Sequence, residues 1–351
     1  MKSMRKKRYQ WSSYALTAIL ALCIWSCSKS SSSLDKDKGS PKPDPKSQQV
    51  DVYVAFSAVS IGAVIKYDAK IYKNDQQLYS YGDANLSTMI SAMEVADGKV
   101  YAVGGKIEFK NGNNSFGGVL WEGQTEQYFG LNNTMVSSLK KTGKDTYLMI
   151  MDVAYQSTNI WKNEVKLHTI YGYYGSNMVV SGDDIYSCGE ANGKAVIFKN
   201  ESLLYTLSTG TCYVNAIWVE GNTVYAVGRE RVGTKFMARV WKNGDLFYDY
   251  GEGEVCDICV SQNILYTTGY LYKVDNQVAK VWKNDKELYS LSNGNANAEG
   301  FAIGVVGKDI YVGGADNRTC KIWLNGALKY VMGSQVNDSK AYFSMRLVPK
   351  S

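Results

Sequence analysis

Two carboxylates and two cations are the side chains of this sequence best placed to do chemistry together. Glu94, Lys140, Asp257 and Arg346 fall at matching positions of a segment that recurs along the chain, so a repeated fold would bring them round one axis. A carboxylate pair such as Glu94 and Asp257 could cleave a glycosidic bond, one group as acid and the other as base or nucleophile. The same four charges could instead hold a polar ligand, or pair with one another along a wet channel; solvated pairing is the plainer expectation. Tyr173, Tyr174 and Tyr213 lie near loops leading into the same segments and could stack on sugar rings, although with 27 tyrosines in the chain chance placement is the stronger reading.

Other catalytic sets are missing. His168 is the only histidine and falls in a segment, Val165 to Ile170, expected far from the axis. A single histidine excludes His-rich metal sites and argues against a Ser-His-Asp triad. Asp183 and Asp184 read as turn residues. Cys256 and Cys259 have CxxC spacing, but Val255 to Val260 reads as a strand, on which residues three apart point to opposite faces and cannot bridge. These thiols are expected to be small core residues. No cofactor and no metal is expected.

The elements that must position these residues come from an internal repeat. One tetrapeptide recurs as Tyr72-Lys-Asn-Asp75, Trp121-Glu-Gly-Gln124, Trp161-Lys-Asn-Glu164, Phe198-Lys-Asn-Glu201, Trp241-Lys-Asn-Gly244, Trp282-Lys-Asn-Asp285 and Trp323-Leu-Asn-Gly326, at intervals of 37 to 49 residues. A tyrosine inside a β-branched run, often followed by glycine, recurs as Tyr53, Tyr101, Tyr147, Tyr186, Tyr225, Tyr266 and Tyr311. The last full unit spells out four short strands: Gly300 to Gly307, Ile310 to Gly314, Cys320 to Leu324 and Leu328 to Met332. Asn325-Gly326 between the last two supplies the positive φ that a two-residue hairpin turn needs. The spacing therefore predicts an all-β chain, a seven-bladed β-propeller of four-stranded antiparallel blades. The first unit lacks an inner strand before Val50 to Phe56, and the last ends with a lone inner-type strand, Ala341 to Val348. Joined in one blade, these N- and C-terminal strands would close the ring. The aromatic-Lys-Asn residues are expected to be structural.

Aligning the inner strands on the following tyrosine gives one register of Ala92, Ser138, Asn177, Ala216, Asp257, Ala302 and Ser344. Two residues on come Glu94, Lys140, Val179, Trp218, Cys259, Gly304 and Arg346. Loops entering the inner strands, among them Tyr173 to Ser176, Thr211 to Tyr213, Glu252 to Glu254 and Ser334 to Lys340, share a face with the loops joining strands two and three. The latter are expected to be long at Ser57 to Ala69 and Lys106 to Gly118, and such a face is where function tends to be placed.

The first 49 residues read as an address. Lys2, Arg5, Lys6, Lys7 and Arg8 precede an apolar run, Tyr14 to Trp25, of signal-peptide size. The run ends Ile24-Trp25-Ser26-Cys27, which resembles the lipobox of bacterial lipoproteins, of the looser form familiar from Bacteroides-type proteins. The resemblance implies a signal peptide over 1–26 and a diacylated Cys27. Residues 27–49, with Ser30 to Ser33, Pro41, Pro43 and Pro45, are too polar to repay ordering and should form a flexible tether to a propeller at 50–351. Five of the charges behind the formal net charge of +6 belong to the leader. The remainder is nearly neutral, so no nucleic-acid partner is expected. The strand layout resembles WD40 repeats without their Trp-Asp dipeptide. The Trp-Lys-Asn-Gly form is similar to repeats of secreted Bacteroides-type proteins, a likeness that implies a fold over about residues 51–348 and no activity. Together these features predict a monomer, lipid-anchored to the cell envelope at the outer membrane, that serves as a binding or scaffold module for a protein or glycan. A glycan-active enzyme using channel carboxylates, or an envelope assembly factor acting through blade edges, are the alternatives.

Overall fold

The computed structural model describes residues 49–61, 65–83, 86–110, 113–129, 133–335 and 343–350. The signal peptide, Cys27, nearly all of the tether, most of the entry loop Ser334 to Lys340 and Tyr342 lie outside them.

Every regular element among the described residues is a β-strand. They assemble into antiparallel groups of four, each running from a buried inner strand to an exposed outer one. The first sheet takes its inner strand from the far end of the chain: Phe343–Pro349 pairs with Val50–Ile61, which pairs with Ile65–Lys73 and then Gln76–Ser80. The next three sheets start at inner strands Leu86–Ala96, Thr134–Thr142 and Tyr173–Ser181. Asp245–Ser261 then serves twice, as the outer strand of the sheet begun by Cys212–Glu220 and as the inner strand of the following one. Ala298–Val306 opens the last, so seven such four-stranded groups are counted among the described residues.

Neighbouring groups are joined near the axis. Arg346 of the first sheet pairs with Glu94 of the second, and Glu94 lies 3.4 Å from Lys140 of the third. Thr158 of the third donates to the Tyr173 carbonyl of the fourth, and Ser176 to the Val214 carbonyl of the fifth. Asn215 donates to the Val255 carbonyl, Ile303 N–H to Asp257, and the Phe301 ring meets Phe343 at 5.8 Å, which returns the series to the first sheet. The chain is a β-propeller.

The recurring residues have distinct physical duties. The third-strand aromatics Trp121, Trp241, Trp282 and Trp323 are all but fully buried between sheets. Such burial of an aromatic is worth roughly 1.5–3 kcal/mol. The asparagines do more than make a turn. Asn74, Asn163, Asn200, Asn243, Asn284 and Asn325 all have φ between 48° and 58°. Each side-chain oxygen also accepts the backbone N–H that begins the second strand of its own sheet, at 2.8–3.1 Å. One residue type thus shapes the hairpin and caps the neighbouring ladder. The lysine before it lies over the second-strand tyrosine in four sheets: Lys73 over Tyr53, Lys162 over Tyr147, Lys199 over Tyr186 and Lys242 over Tyr225, at 5.2–5.6 Å. The two sequence markers are cross-strand partners.

Two expectations are corrected. The described residues of the joining segments Ser57 to Ala69 and Lys106 to Gly118 are strand rather than loop. Strand pairing continues to Ile61↔Ile65 in the first and Lys110↔Asn113 in the second, so both are extended hairpin arms whose backbone groups satisfy one another. Glu252 to Glu254 is not a loop either, because Asp245–Ser261 runs through it without a break.

A β-bulge interrupts six inner strands at equivalent places: Ile90/Ala92, Val136/Ser138, Gly175/Asn177, Val214/Ala216, Val255/Asp257 and Gly300/Ala302. Opposite five of them the second strand carries glycine, and a Cβ there would lie 1.8–2.0 Å from the inner strand's carbonyl oxygen, as Gly228 would from Tyr213. The glycine that follows the marker tyrosine is the space the bulge needs. The third sheet is the exception, with Ile150 opposite Val136.

Candidate functional site

The two aligned registers behave very differently. Ala92, Ser138, Asn177, Ala216, Asp257, Ala302 and Ser344 are all fully buried. Small side chains at this level let the inner strands approach, and the larger polar ones are spent on backbone: Asp257 accepts from Ile303 N–H at 2.9 Å and Asn177 from Ile217 N–H at 3.4 Å. Asp257 is therefore a packing residue that ties two sheets together, and it does not line the recess formed at the next register.

Two residues further on, the axis widens. Glu94, Lys140, Val179 and Trp218 come from four successive inner strands and line one cavity of roughly 190 Å³, with Thr142 and Ser181 at its edge. Arg346 does not line the cavity but holds Glu94 from behind. Its Nε and Nη2 reach the two oxygens of Glu94 at 2.8 and 2.9 Å, a bidentate pair, and its Nη1 donates to the Met345 carbonyl. Glu94 thus stands between a guanidinium and an ammonium from the sheets on either side. Burial alone would raise its carboxyl, but the charges of Arg346 and Lys140, reinforced by their hydrogen bonds, outweigh that and hold it below the ordinary carboxylate range. A general acid needs the opposite shift. Asp257 does not line this recess and Glu94 is held below the ordinary carboxylate range, so the recess itself does not offer the carboxylate pair considered for glycoside cleavage.

Trp218 and Val179 give this cavity an apolar wall opposite the charges. The trio Glu94, Lys140 and Arg346 carries one net positive charge. The arrangement can grip a small polar ring, one face on indole and its oxygens on the charged groups. Trp218 was legible as a register position, and it differs from Trp161, Trp241 and Trp282 in being followed by Val219-Glu220 rather than Lys-Asn.

The three tyrosines are scattered. Tyr173 is fully buried at the start of its strand, its ring 4.8 Å from Phe198, and offers no exposed face. Tyr174 packs partly buried against Met89, Met135 and Met151. Tyr213 is half-buried beneath the Arg229 guanidinium, which lies 4.9 Å from its ring centre. His168 is on the outer strand Val165–Tyr171, with Nδ1 3.6 Å from Glu201. Cys188, Cys212, Cys256, Cys259 and Cys320 are free and buried. Burial pushes the Cys188 and Cys212 thiols up to about 12, so these are inert at neutral pH.

No protein family and no curated protein matches the chain. Among solved structures it is similar to a putative 6-phosphogluconolactonase from Bacteroides uniformis, at 10% identity over 85% of this chain and 99% of that one, with a TM-score of 0.48. The β-propeller domain of the Trilobed protease from Pyrococcus furiosus aligns at 10% identity over 72% and 87%, TM-score 0.45. A Trypanosoma rangeli sialidase aligns at 9% identity over 81% and 84%, TM-score 0.40.

Proposed function

We propose that the protein is a glycan-binding module of the cell envelope that takes one sugar unit into the axial cavity. The observation that carries this reading is the pairing, in one small recess, of the half-buried Trp218 indole with Glu94 and Lys140, backed by Arg346. An engineered cavity of about 150 Å³ accommodates a benzene-sized ligand, so a recess of roughly 190 Å³ suits a single ring rather than a chain. The surplus positive charge favours a sugar that bears a carboxylate. A rigid ring presents such a site without ordering cost at binding.

The test is a screen of neutral and acidic glycans against the full-length chain in detergent, followed by calorimetry on any hit. Binding of an acidic sugar that weakens at least tenfold in Trp218→Ala is expected. Unchanged affinity in that variant, or capture of a protein partner with no response to any glycan, sinks the assignment.

The envelope location belongs to the same proposal and is supported by the signal-like leader, the Ser26-Cys27 junction and the polar spacer after it. Cys27→Ala is expected to move the chain from the membrane fraction to the soluble one and to remove labelling by a clickable palmitate analogue. A variant that stays with membranes and keeps the label would show that Cys27 is not the anchor.

A further inference from the structure

The other mouth of the ring carries a second polar cluster. Three residues before the buried register, on the far side of the bulge, the inner strands of the fifth, sixth and seventh sheets hold Tyr213, Glu254 and Glu299. Glu254 is fully engaged: Asn215 Nδ2 donates to it at 2.8 Å, Tyr270 Oη at 3.1 Å, and Arg229 Nη1 lies at 3.1 Å. Glu299 is not. It is only 5% exposed, and its Oε1 has no hydrogen-bond partner among the described residues. Glu299 lines a cleft of roughly 650 Å³ with Gln277, Asn276, Asn297, Phe301 and Tyr272. The exposed Asp275 and Arg318 stand at its rim and offset each other.

The interior of this cluster contains two carboxyl groups and one guanidinium. With both carboxyls ionised it would be one positive charge short. An unpaired buried carboxylate costs several kcal/mol, so the cluster is built either to keep a proton or to receive a cation. Among the described residues no group of three or more His, Cys, Asp or Glu is placed to hold a metal ion. A guanidinium would want both oxygens of Glu299 in a fork, yet Oε1 is shielded from the cleft. A compact ammonium needs only one carboxylate oxygen.

We propose that this cleft binds a ligand through a primary ammonium group that docks on the Glu299 carboxylate, with Asn276, Gln277 and Asn297 lining the approach. The site is independent of the axial recess at Trp218 and does not rest on the function assigned there. The groups that face Glu299 set its behaviour. Burial, then the charge of Glu254, push its carboxyl well above the ordinary range, and Arg229 and the Gln277 hydrogen bond only partly offset them. The Cys256 thiol beside it is itself raised, by burial first, and stays uncharged. Without a bound cation, a proton on Glu299 is what spares this cluster an unpaired buried charge. Docking of an ammonium ion forms the ammonium–carboxylate pair and releases that proton to solvent, at most one per ligand bound.

Two probes carry the ammonium in different settings: Nα-acetyl-lysine methylamide, standing for a peptide side chain, and glucosamine, standing for an amino sugar. Calorimetry of the full-length chain at pH 6, 7 and 8, in buffers of differing ionisation enthalpy, counts the protons. Binding of one probe with net release of at most one proton is expected, with affinity rising from pH 6 to 7. At pH 8 the glucosamine amine is itself largely neutral, so there the count applies to the lysine probe alone. Which probe binds identifies the source of the amine, and the N-acetylated form of either should fail. Glu299→Gln should remove the proton release and weaken binding at least tenfold, while Trp218→Ala leaves both unchanged. Should Glu299→Gln misfold, the proton count on the unaltered chain still decides. No binding of either probe, binding without proton release, or equal affinity in Glu299→Gln overturns the proposal.

Discussion

Replacing Arg346 by methionine is expected to destabilise the protein by about 3–5 kcal/mol, the range for breaking a buried ion pair from one side. The guanidinium is 4% exposed and the Glu94 carboxylate 14%, so solvent does little to screen or replace the lost contact. Lys140, at 3.4 Å, remains and should limit the loss to the lower part of that range. In a domain of this size the effect reads as a fall in melting temperature of roughly 5–10 °C. The double variant Glu94→Met with Arg346→Met should regain part of it, because the buried pair is replaced by apolar groups and only Lys140, 12% exposed, loses its Glu94 contact. A thermal melt of the two variants separates this account from simple loss of packing. If the double variant is no more stable than the single one, the pair is not what holds the sheets together here.

The same pair sets a pH window. The folded-state carboxyl of Glu94 is held below its ordinary value of 4.5. Its contribution is therefore fully present above pH 4.5 and is lost as the pH falls through the lower folded value. Stability measured from pH 7 down to 3 should fall more steeply for the unaltered chain than for the double methionine variant.

Much of this architecture was written in the sequence, because its repeating marks are cross-strand contacts rather than family signatures. Tyrosine on the second strand and lysine on the third recur together since one lies over the other. Asparagine recurs since φ > 0 and a side-chain acceptor are both needed at the turn. The candidate recess was legible only as far as register carries: Glu94, Lys140 and Arg346 do meet, whereas Asp257 had the right position and the wrong depth. Glu254 and Glu299 escaped notice because of the bulge. An extra residue shifts the two-residue alternation of a strand, so counting back from the tyrosine by twos passes over residues three places before the buried register. The glycine facing five of the six bulges is the available sign, because it makes room for the neighbouring strand to bend.

Removing residues 343–351 should have a larger effect than any substitution, and should prevent cooperative folding altogether. Phe343, Met345 and Leu347 are each at most 4% exposed and pack with Val52, Val54, Phe56 and Phe301 in one cluster. At roughly 1.5–3 kcal/mol each, their loss amounts to about 5–9 kcal/mol, comparable with the whole net stability of a typical domain, about 5–15 kcal/mol. Glu94 would lose Arg346 as well. The strand Val50–Ile61 would become an open edge along the seven residues from Val50 to Phe56 that now pair with the last strand, and an uncovered apolar edge invites aggregation. An outer strand is a different matter: in Ser202–Thr206 no residue is buried, so deleting its side chains to alanine should be tolerated. The asymmetry follows from the gradient of burial across each sheet. It also makes the first sheet the last to be completed, since its inner strand is some 290 residues from its second in the chain, and pairing at that separation is slow. A truncated chain should therefore be trapped as a soluble or insoluble aggregate that a synthetic 343–350 peptide, supplied during refolding, partly rescues. A truncated monomer that melts cooperatively within a few degrees of the intact protein would show that the terminal strand is an accessory to the ring and not a part of its core.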